Sequence, residues 1–363
     1  MTREADREAL ALLRRVTRRN PAARLVVTGC LATRDPGLIR EAAPAATIVG
    51  GEDKAGLPAL FGCAPAPADA LPSVAGRSRA FLKIQDGCNM DCAYCTIPSV
   101  RPKLSSVPPE ELLARARSLA AAGVPEIVLC GIRLGRYLRR EPGKPRLDLA
   151  GLAARILEIP GDFRVRLSSL EVTDATDRLL DLMASSGGKL CPHLHLPLQS
   201  GSDATLKRMR RWYSAEGYRR RVDSYRARVP KGALFADVIA GFPGESEAEH
   251  AESLRFAEEL RFDGLHVFRH SPRPGTEAAD WRTPPARLVA ARAREWRALD
   301  GERRAAHAAR AVGEERIVAP ALDGREGVTE DFLTAVLSRP AGPGLTRVRA
   351  AAADGAKVLA SSF

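Results

Sequence analysis

Apolar positions recur along this chain with two periods. From residue 80 onward, short runs predict strands: AFLKIQ (80–85), EIVLC (126–130), RVRLSS (164–169), HLHLPL (193–198), LFADVIAGF (234–242) and LHVFRH (265–270). Between them, helical patterns occupy residues near 109–122, 149–158, 174–185, 203–227 and 246–261. Six strands alternating with helices imply an α/β fold with a parallel sheet, open or partly closed like a barrel. Chemistry in such folds sits at the C-terminal ends of the strands.

The flanks read differently. Residues 3–19 form an amphipathic helical pattern with Leu10, Leu12, Leu13 and Val16 as its apolar positions; RLVVTGC then predicts a strand ending at Cys30, and ATIVG (46–50) a second. A Pro- and Ala-rich stretch at 64–78 reads as a linker. A long Arg-rich helical stretch covers 284–311, and short strand-like runs broken by Gly and Pro fill 314–361. The expected domains are a small α/β piece (1–65), the alternating core (74–311) and a small all-β appendage (312–363).

Alternation within the strands separates two faces. In HLHLPLQ, Leu194, Leu196 and Leu198 point one way, to pack under helices, while His193, His195 and Gln199 share the interior face. Lys83 and Gln85 oppose Leu82 and Ile84 in the same manner, and Asp237 sits among apolar neighbours. Polar groups on interior faces are costly unless paired or used. They fit a polar lumen around a charged cofactor. The pair His193 and His195 raises the question of a metal, but nothing else in the sequence completes a coordination set, so lining or substrate contact is the expectation.

The net charge of +12 suits a polyanionic partner such as nucleic acid, although the excess of Arg over Lys also fits a GC-rich genome. The run RMRRWYSAEGYRRR (208–221), with Trp212 and Tyr213, reads either as a surface for RNA phosphates and bases or as a solvated helix face. No apolar run is long enough for a transmembrane helix, the charged N-terminus is unlike a signal peptide, and the cysteine usage fits a reducing cytoplasm.

The sharpest chemistry lies in FLKIQDGCNMDCAYCTIPSVR, where Cys88, Cys92 and Cys95 stand at C-x3-C-x2-C just after the first core strand. Cys thiolates hold iron–sulfur clusters, and a four-iron cluster normally takes four of them. Three leave one iron open for substrate. Structural zinc wants a fourth ligand, usually from a second pair, and no such pair lies nearby. This spacing resembles the radical S-adenosylmethionine (SAM) enzymes.

Further strings extend the resemblance: VVTGCLA, EIVLCGIRLGRY, RLSSLE, CPHLHLPLQSGSDATLKRMRRWY, ADVIAGFPGE and HVFRHSPRPGTEAA. Together they resemble the methylthiotransferases, most closely the branch that methylthiolates threonylcarbamoyladenosine in tRNA. The resemblance implies a radical-SAM partial (β/α)6 barrel, preceded by an N-terminal α/β domain and followed by a TRAM-like β-barrel that binds RNA. It implies that Cys88, Cys92 and Cys95 hold a [4Fe-4S] cluster to which SAM binds, with Tyr94 beside the bound SAM. By position, Gly131, Ser169, Glu171 and Gln199 are expected to contact SAM, and the glycines of GFPGE (241–245) to approach the adenine. The implied partners are tRNA and an electron donor such as flavodoxin or ferredoxin, in the cytoplasm.

The chain also departs from the family's pattern. An auxiliary cluster there uses three N-terminal cysteines, and only Cys30 matches one of them. The N-terminal domain is expected to be truncated, with a late-called start codon the favoured reading. One cluster is expected in this chain, against two in the full-length family. The alternatives are radical chemistry without methylthiolation, or a noncatalytic RNA-binding protein. Cys63 is a remote substitute ligand, and Cys130 and Cys191 are expected as buried small hydrophobes. After the cluster loop, Pro102 and Ser105 replace residues common in the family, as do Arg269 and His270 further on.

Overall fold

Six parallel strands build the centre of this chain. In the computed structural model, which describes residues 3–64, 78–140, 143 and 145–362, Arg79–Asp86 pairs in parallel with Glu126–Gly131, which pairs in parallel with Arg164–Leu167. A second group, His193–His195, Ala233–Ala240 and Gly264–Arg269, is also parallel throughout. The two groups meet through a bridge between Val165 and Leu190 and through Leu170 N–H, which donates to the His195 carbonyl at 2.9 Å. The strands form a half-barrel, as the alternation of strand and helix implies. Ser105–Ser106 adds a short antiparallel edge to the first strand.

Helices Pro109–Ala121, Leu149–Leu157, Asp177–Ser185, Ala215–Arg228 and Glu247–Leu260 follow the strands. Polar residues start them. Asp148, Thr176 and Ser214 each accept a backbone N–H from the first turn, and Ser246 forms a capping box with Glu249. Their apolar faces bury Leu82, Ile84, Leu194, Leu196 and Leu198 on the outer side of the sheet, each 4% exposed or less.

Two expectations of regular structure need correction. The stretch 203–227 is not one helix: Asp203–Arg208 and Ala215–Arg228 are separated by a turn in which Arg210 takes φ 55°. The strand expected over 193–198 stops at His195, because Pro197 lacks the N–H a ladder needs. Leu196 and Leu198 still donate to the carbonyls of Phe235 and Asp237.

The C-terminal strands Glu315–Pro320, Glu326–Thr329, Thr334–Leu337, Thr346–Asp354 and Lys357–Ser362 close into a five-stranded barrel around Val318, Ala335, Val348 and Val358. The chain clusters into two compact units. One comprises residues 68–86, 105–270 and 283–363, so the half-barrel and this small barrel belong to one unit. Within it, Arg164 donates to the carbonyls of Ile317 and Val328, and Arg166 to those of Thr329 and Glu330.

The other unit comprises residues 1–67, 87–104 and 271–282. It contains helix Arg3–Arg19, a parallel strand pair (Val26–Thr28 with Thr47–Val49), and helices Cys30–Arg34 and Pro36–Ala42. Asp6 joins its distant segments, accepting from Arg34 at 2.8 Å and from Arg273 at 3.1 Å. Residues 65–77, which include most of the expected linker, lie outside the described residues.

Candidate functional site

The cysteine loop leaves the first strand through Gly87. Its φ of +84° is in the left-handed region, and a Cβ there would lie 2.0 Å from the Lys103 carbonyl oxygen. Glycine therefore lets the two arms of the loop touch, and Cys88 N–H closes it by donating to the Arg101 carbonyl at 3.0 Å. Met90 N–H donates to Cys88 Sγ and Ile97 N–H to Cys95 Sγ, each at 3.4 Å. Such bonds stabilise negative charge on sulfur. Burial pushes the Cys95 thiol up, the bond from Ile97 opposes this, and the nearby Cys92 and Cys88 raise it further. All three cysteines are half-buried, and none forms a disulfide. Ala278 N–H donates to the Ala93 carbonyl at 2.8 Å, fastening the SPRPGTEAA segment to the loop.

Cys30 opens a helix that packs against Ile97–Val100, the short helix following the loop. Cys63 is exposed. Cys191 is buried, as expected, and burial pushes its thiol up to about 11. Cys130 departs from expectation: it is only half-buried at the end of its strand.

The other unit holds a cavity of about 470 Å³ on the interior face of the half-barrel. Arg166, Ser169, His193, His195, Asp237 and His266 contribute its polar lining, and Phe332 from the C-terminal barrel borders it. His195 Nδ1 lies 2.6 Å from Ser169 Oγ, and its Nε2 lies 3.0 Å from Asp237 Oδ1. His266 Nδ1 lies 3.1 Å from the same oxygen. Burial would raise the Asp237 carboxyl, but its bonds to the two histidines outweigh this and hold it at about 2. His193 stacks on Phe332 with ring centroids 4.5 Å apart.

Of the residues expected at SAM, Tyr94 is on the cysteine loop and Ser169 lines the cavity. Glu171 is engaged by Arg211. Gly131 packs against Gln85, whose Oε1 would lie 3.0 Å from an added Cβ. Gln199 has φ +64° and exchanges backbone hydrogen bonds with Asp237 and Ile239, which breaks the alternation that placed it with His195. In GFPGE, Gly241 and Gly244 both have positive φ, and a Cβ on Gly241 would lie 2.8 Å from Val289. His266 escaped the sequence reading. Its signal was that His266 shares a strand face with Phe268, and it becomes meaningful only once the parallel register sets it beside Asp237.

The arginine run at 208–221 is largely neutralised. Arg208, Arg211, Arg219, Arg220 and Arg221 pair with Glu249, Glu171, Glu259, Glu216 and Asp177. Trp212 is 52% exposed, with the Arg133 guanidinium 4.9 Å from its ring centroid.

Comparison with known proteins places this geometry. Residues 82–257 match the model of the Radical SAM superfamily. Threonylcarbamoyladenosine tRNA methylthiotransferase MtaB of Chlamydia pneumoniae is 38% identical over 280 residues, covering 77% of this chain and 65% of that protein. Its Bacillus subtilis counterpart is 36% identical, with the same coverage. The chain is similar to the radical-SAM methylthiotransferases. Another relative, the tRNA-2-methylthio-N(6)-dimethylallyladenosine synthase of Thermobifida fusca, is 39% identical over 74% of this chain and 57% of that protein. The chain thus spans about two thirds of the length, or less, of these family members. In fold, it is similar to the cobalamin-dependent S-adenosylmethionine radical enzyme OxsB, with a TM-score of 0.53 at 12% identity over 76% of this chain and 44% of that one.

SAM is the cofactor for which the matched superfamily is named. The donor set suits a cluster: three thiols outside any disulfide on one glycine-hinged loop, two of them receiving backbone N–H groups. Among the described residues, no helix is long and apolar enough to cross a membrane.

Proposed function

We propose that this protein is a radical-SAM tRNA methylthiotransferase, acting on threonylcarbamoyladenosine beside the anticodon. The observation that carries the reading is the loop of Cys88, Cys92 and Cys95, closed at Gly87 and Arg101. The similarity to two MtaB proteins favours this base over the isopentenylated one, which the synthase relatives name. When bound, the cluster supplies the electron that cleaves SAM. The chain's own part is to hold three thiolates, leave one coordination position open, and screen the site from water. Tyr94, Gly131, Ser169, Glu171 and Gln199 are proposed to position SAM, and Cys30 to serve an auxiliary cluster. The proposed partners are tRNA and a flavodoxin- or ferredoxin-type donor.

The test has two parts. Anaerobically reconstituted protein is expected to cleave SAM to 5′-deoxyadenosine under reduction, and Cys88→Ala to abolish cleavage with its circular dichroism unchanged. Retained cleavage in that variant refutes the cluster assignment. Nucleoside analysis of tRNA from a host lacking its own enzyme is expected to show methylthiolated threonylcarbamoyladenosine when this gene is supplied. Methylthiolation of isopentenyladenosine alone overturns the choice of base.

A further inference from the structure

His195, Asp237 and His266 come from neighbouring parallel strands, and their ligand atoms all lie within 4.8 Å of one another. Both histidines address a single carboxylate oxygen, at 3.0 and 3.1 Å. Donors bound at about 2.1 Å to one tetrahedral zinc lie roughly 3.4 Å apart. The two histidine–carboxylate spacings would widen by a few tenths of an ångström, and the two ring nitrogens already lie within 4.8 Å of each other, to accept an ion in place of the bridging protons.

Second contacts agree. Ser169 Oγ lies 2.6 Å from His195 Nδ1, the ring nitrogen that a metal on Nε2 leaves free. A ligand histidine held through its other nitrogen is the usual arrangement around a bound metal. The set faces the 470 Å³ cavity, so remaining coordination positions would open onto space rather than onto packed side chains. In the same cavity wall His193 is 3% exposed, and neither of its ring nitrogens meets a hydrogen-bond partner among the described residues. A buried imidazole without partners is costly. Water or substrate held at a neighbouring cation would relieve it.

We propose that His195, Asp237 and His266 form a divalent-metal site of the two-histidine, one-carboxylate type, distinct from the iron–sulfur cluster. Imidazole and carboxylate donors in this ratio suit zinc or ferrous iron. The cation would present a Lewis-acidic position to a ligand in the half-barrel cavity. The site requires neither the cysteine loop nor methylthiolation, so it stands or falls separately from the proposed function.

The test uses the full chain, reconstituted anaerobically, incubated with zinc chloride and desalted. Zinc and iron are counted together by mass spectrometry. The wild type is expected to retain about one zinc per chain beyond any held by cysteines, and His195→Ala and His266→Ala to lose that zinc with iron unchanged. His266 is 44% exposed at its side chain, so its removal is the milder change. As a second reading, zinc is expected to raise the thermal midpoint of the wild type but not of His266→Ala. Equal zinc in wild type and both variants, or no zinc-dependent thermal shift in the wild type, overturns the proposal.

Discussion

Arg166 grips Glu126 with two nitrogens, Nε at 2.8 Å from Oε1 and Nη2 at 2.9 Å from Oε2, inside the half-barrel where Glu126 is fully buried. Arg164 adds a third bond to Glu126 at 2.7 Å. Burial raises the Glu126 carboxyl, but the two arginines outweigh this and hold it below the usual range. Both Nη atoms of each arginine, Arg166 Nη2 among them, reach carbonyls of the C-terminal barrel, so one carboxylate orients both arginines that fasten the two barrels. Glu126→Gln would leave two buried cations without their counter-charge, a loss of roughly 3–5 kcal/mol. Urea unfolding should show that loss, and hydrogen exchange should rise first in residues 315–337. A variant as stable as the wild type would show that the network contributes nothing net.

Gly87 is the second weak point, because its conformation and its clearance act together. Gly87→Ala forces a Cβ against the Lys103 carbonyl at a φ that L-residues rarely adopt. The strain falls on the loop that presents the thiols. We expect reconstituted Gly87→Ala to hold several-fold less iron and sulfide, with far-ultraviolet circular dichroism near that of wild type. Full iron loading would mean that the loop tolerates a different closure.

Acid should weaken the protein through Asp331. Its carboxyl is buried, which raises its pKa, but bonds and charges from His307 and Arg316, with Thr329, bring it down to about 2. The folded value is depressed below the unfolded value of about 3.9. The stabilisation, on the order of 2 kcal/mol, is therefore fully present above about pH 4 and is lost as pH falls toward 2. Asp331→Asn is expected to lower stability at pH 7 and to flatten the decline between pH 4 and 2. Denaturant midpoints across that range check both, and an unchanged acid slope would falsify the assignment to Asp331.

Much of this architecture was legible because period and chemistry coincide in the sequence. Leu194, Leu196 and Leu198 alternate with His193 and His195, and the leucines are buried under helices. The C-x3-C-x2-C spacing needs no tertiary information, since one loop carries all three thiols. What could not be read depends on register. Asp237 and His266 become partners only when Ala233–Ala240 and Gly264–Arg269 pair in parallel without offset. Gln199 left its face because a positive φ interrupts the alternation. The arginines of 208–221 could not be told apart as an RNA surface or a solvated face, because carboxylate partners such as Glu249 and Glu259 lie on a different helix.

Cysteine reactivity separates the seven thiols by environment. Cys191 is 1% exposed, and burial pushes its thiol up to about 11, against the lowering effect of Arg166 and Arg164. Its thiolate fraction is then roughly a hundredfold below that of an ordinary thiol at neutral pH, before access is considered. Cys63 is exposed, with its sulfur 3.7 Å from the Phe61 carbonyl. In native protein treated briefly with iodoacetamide, peptide mass spectrometry should find Cys63 modified and Cys191 intact. Adding urea should make Cys191 react at a rate near that of Cys63. Comparable labelling of both in native buffer would place Cys191 in contact with solvent, contrary to its packing between the half-barrel strands.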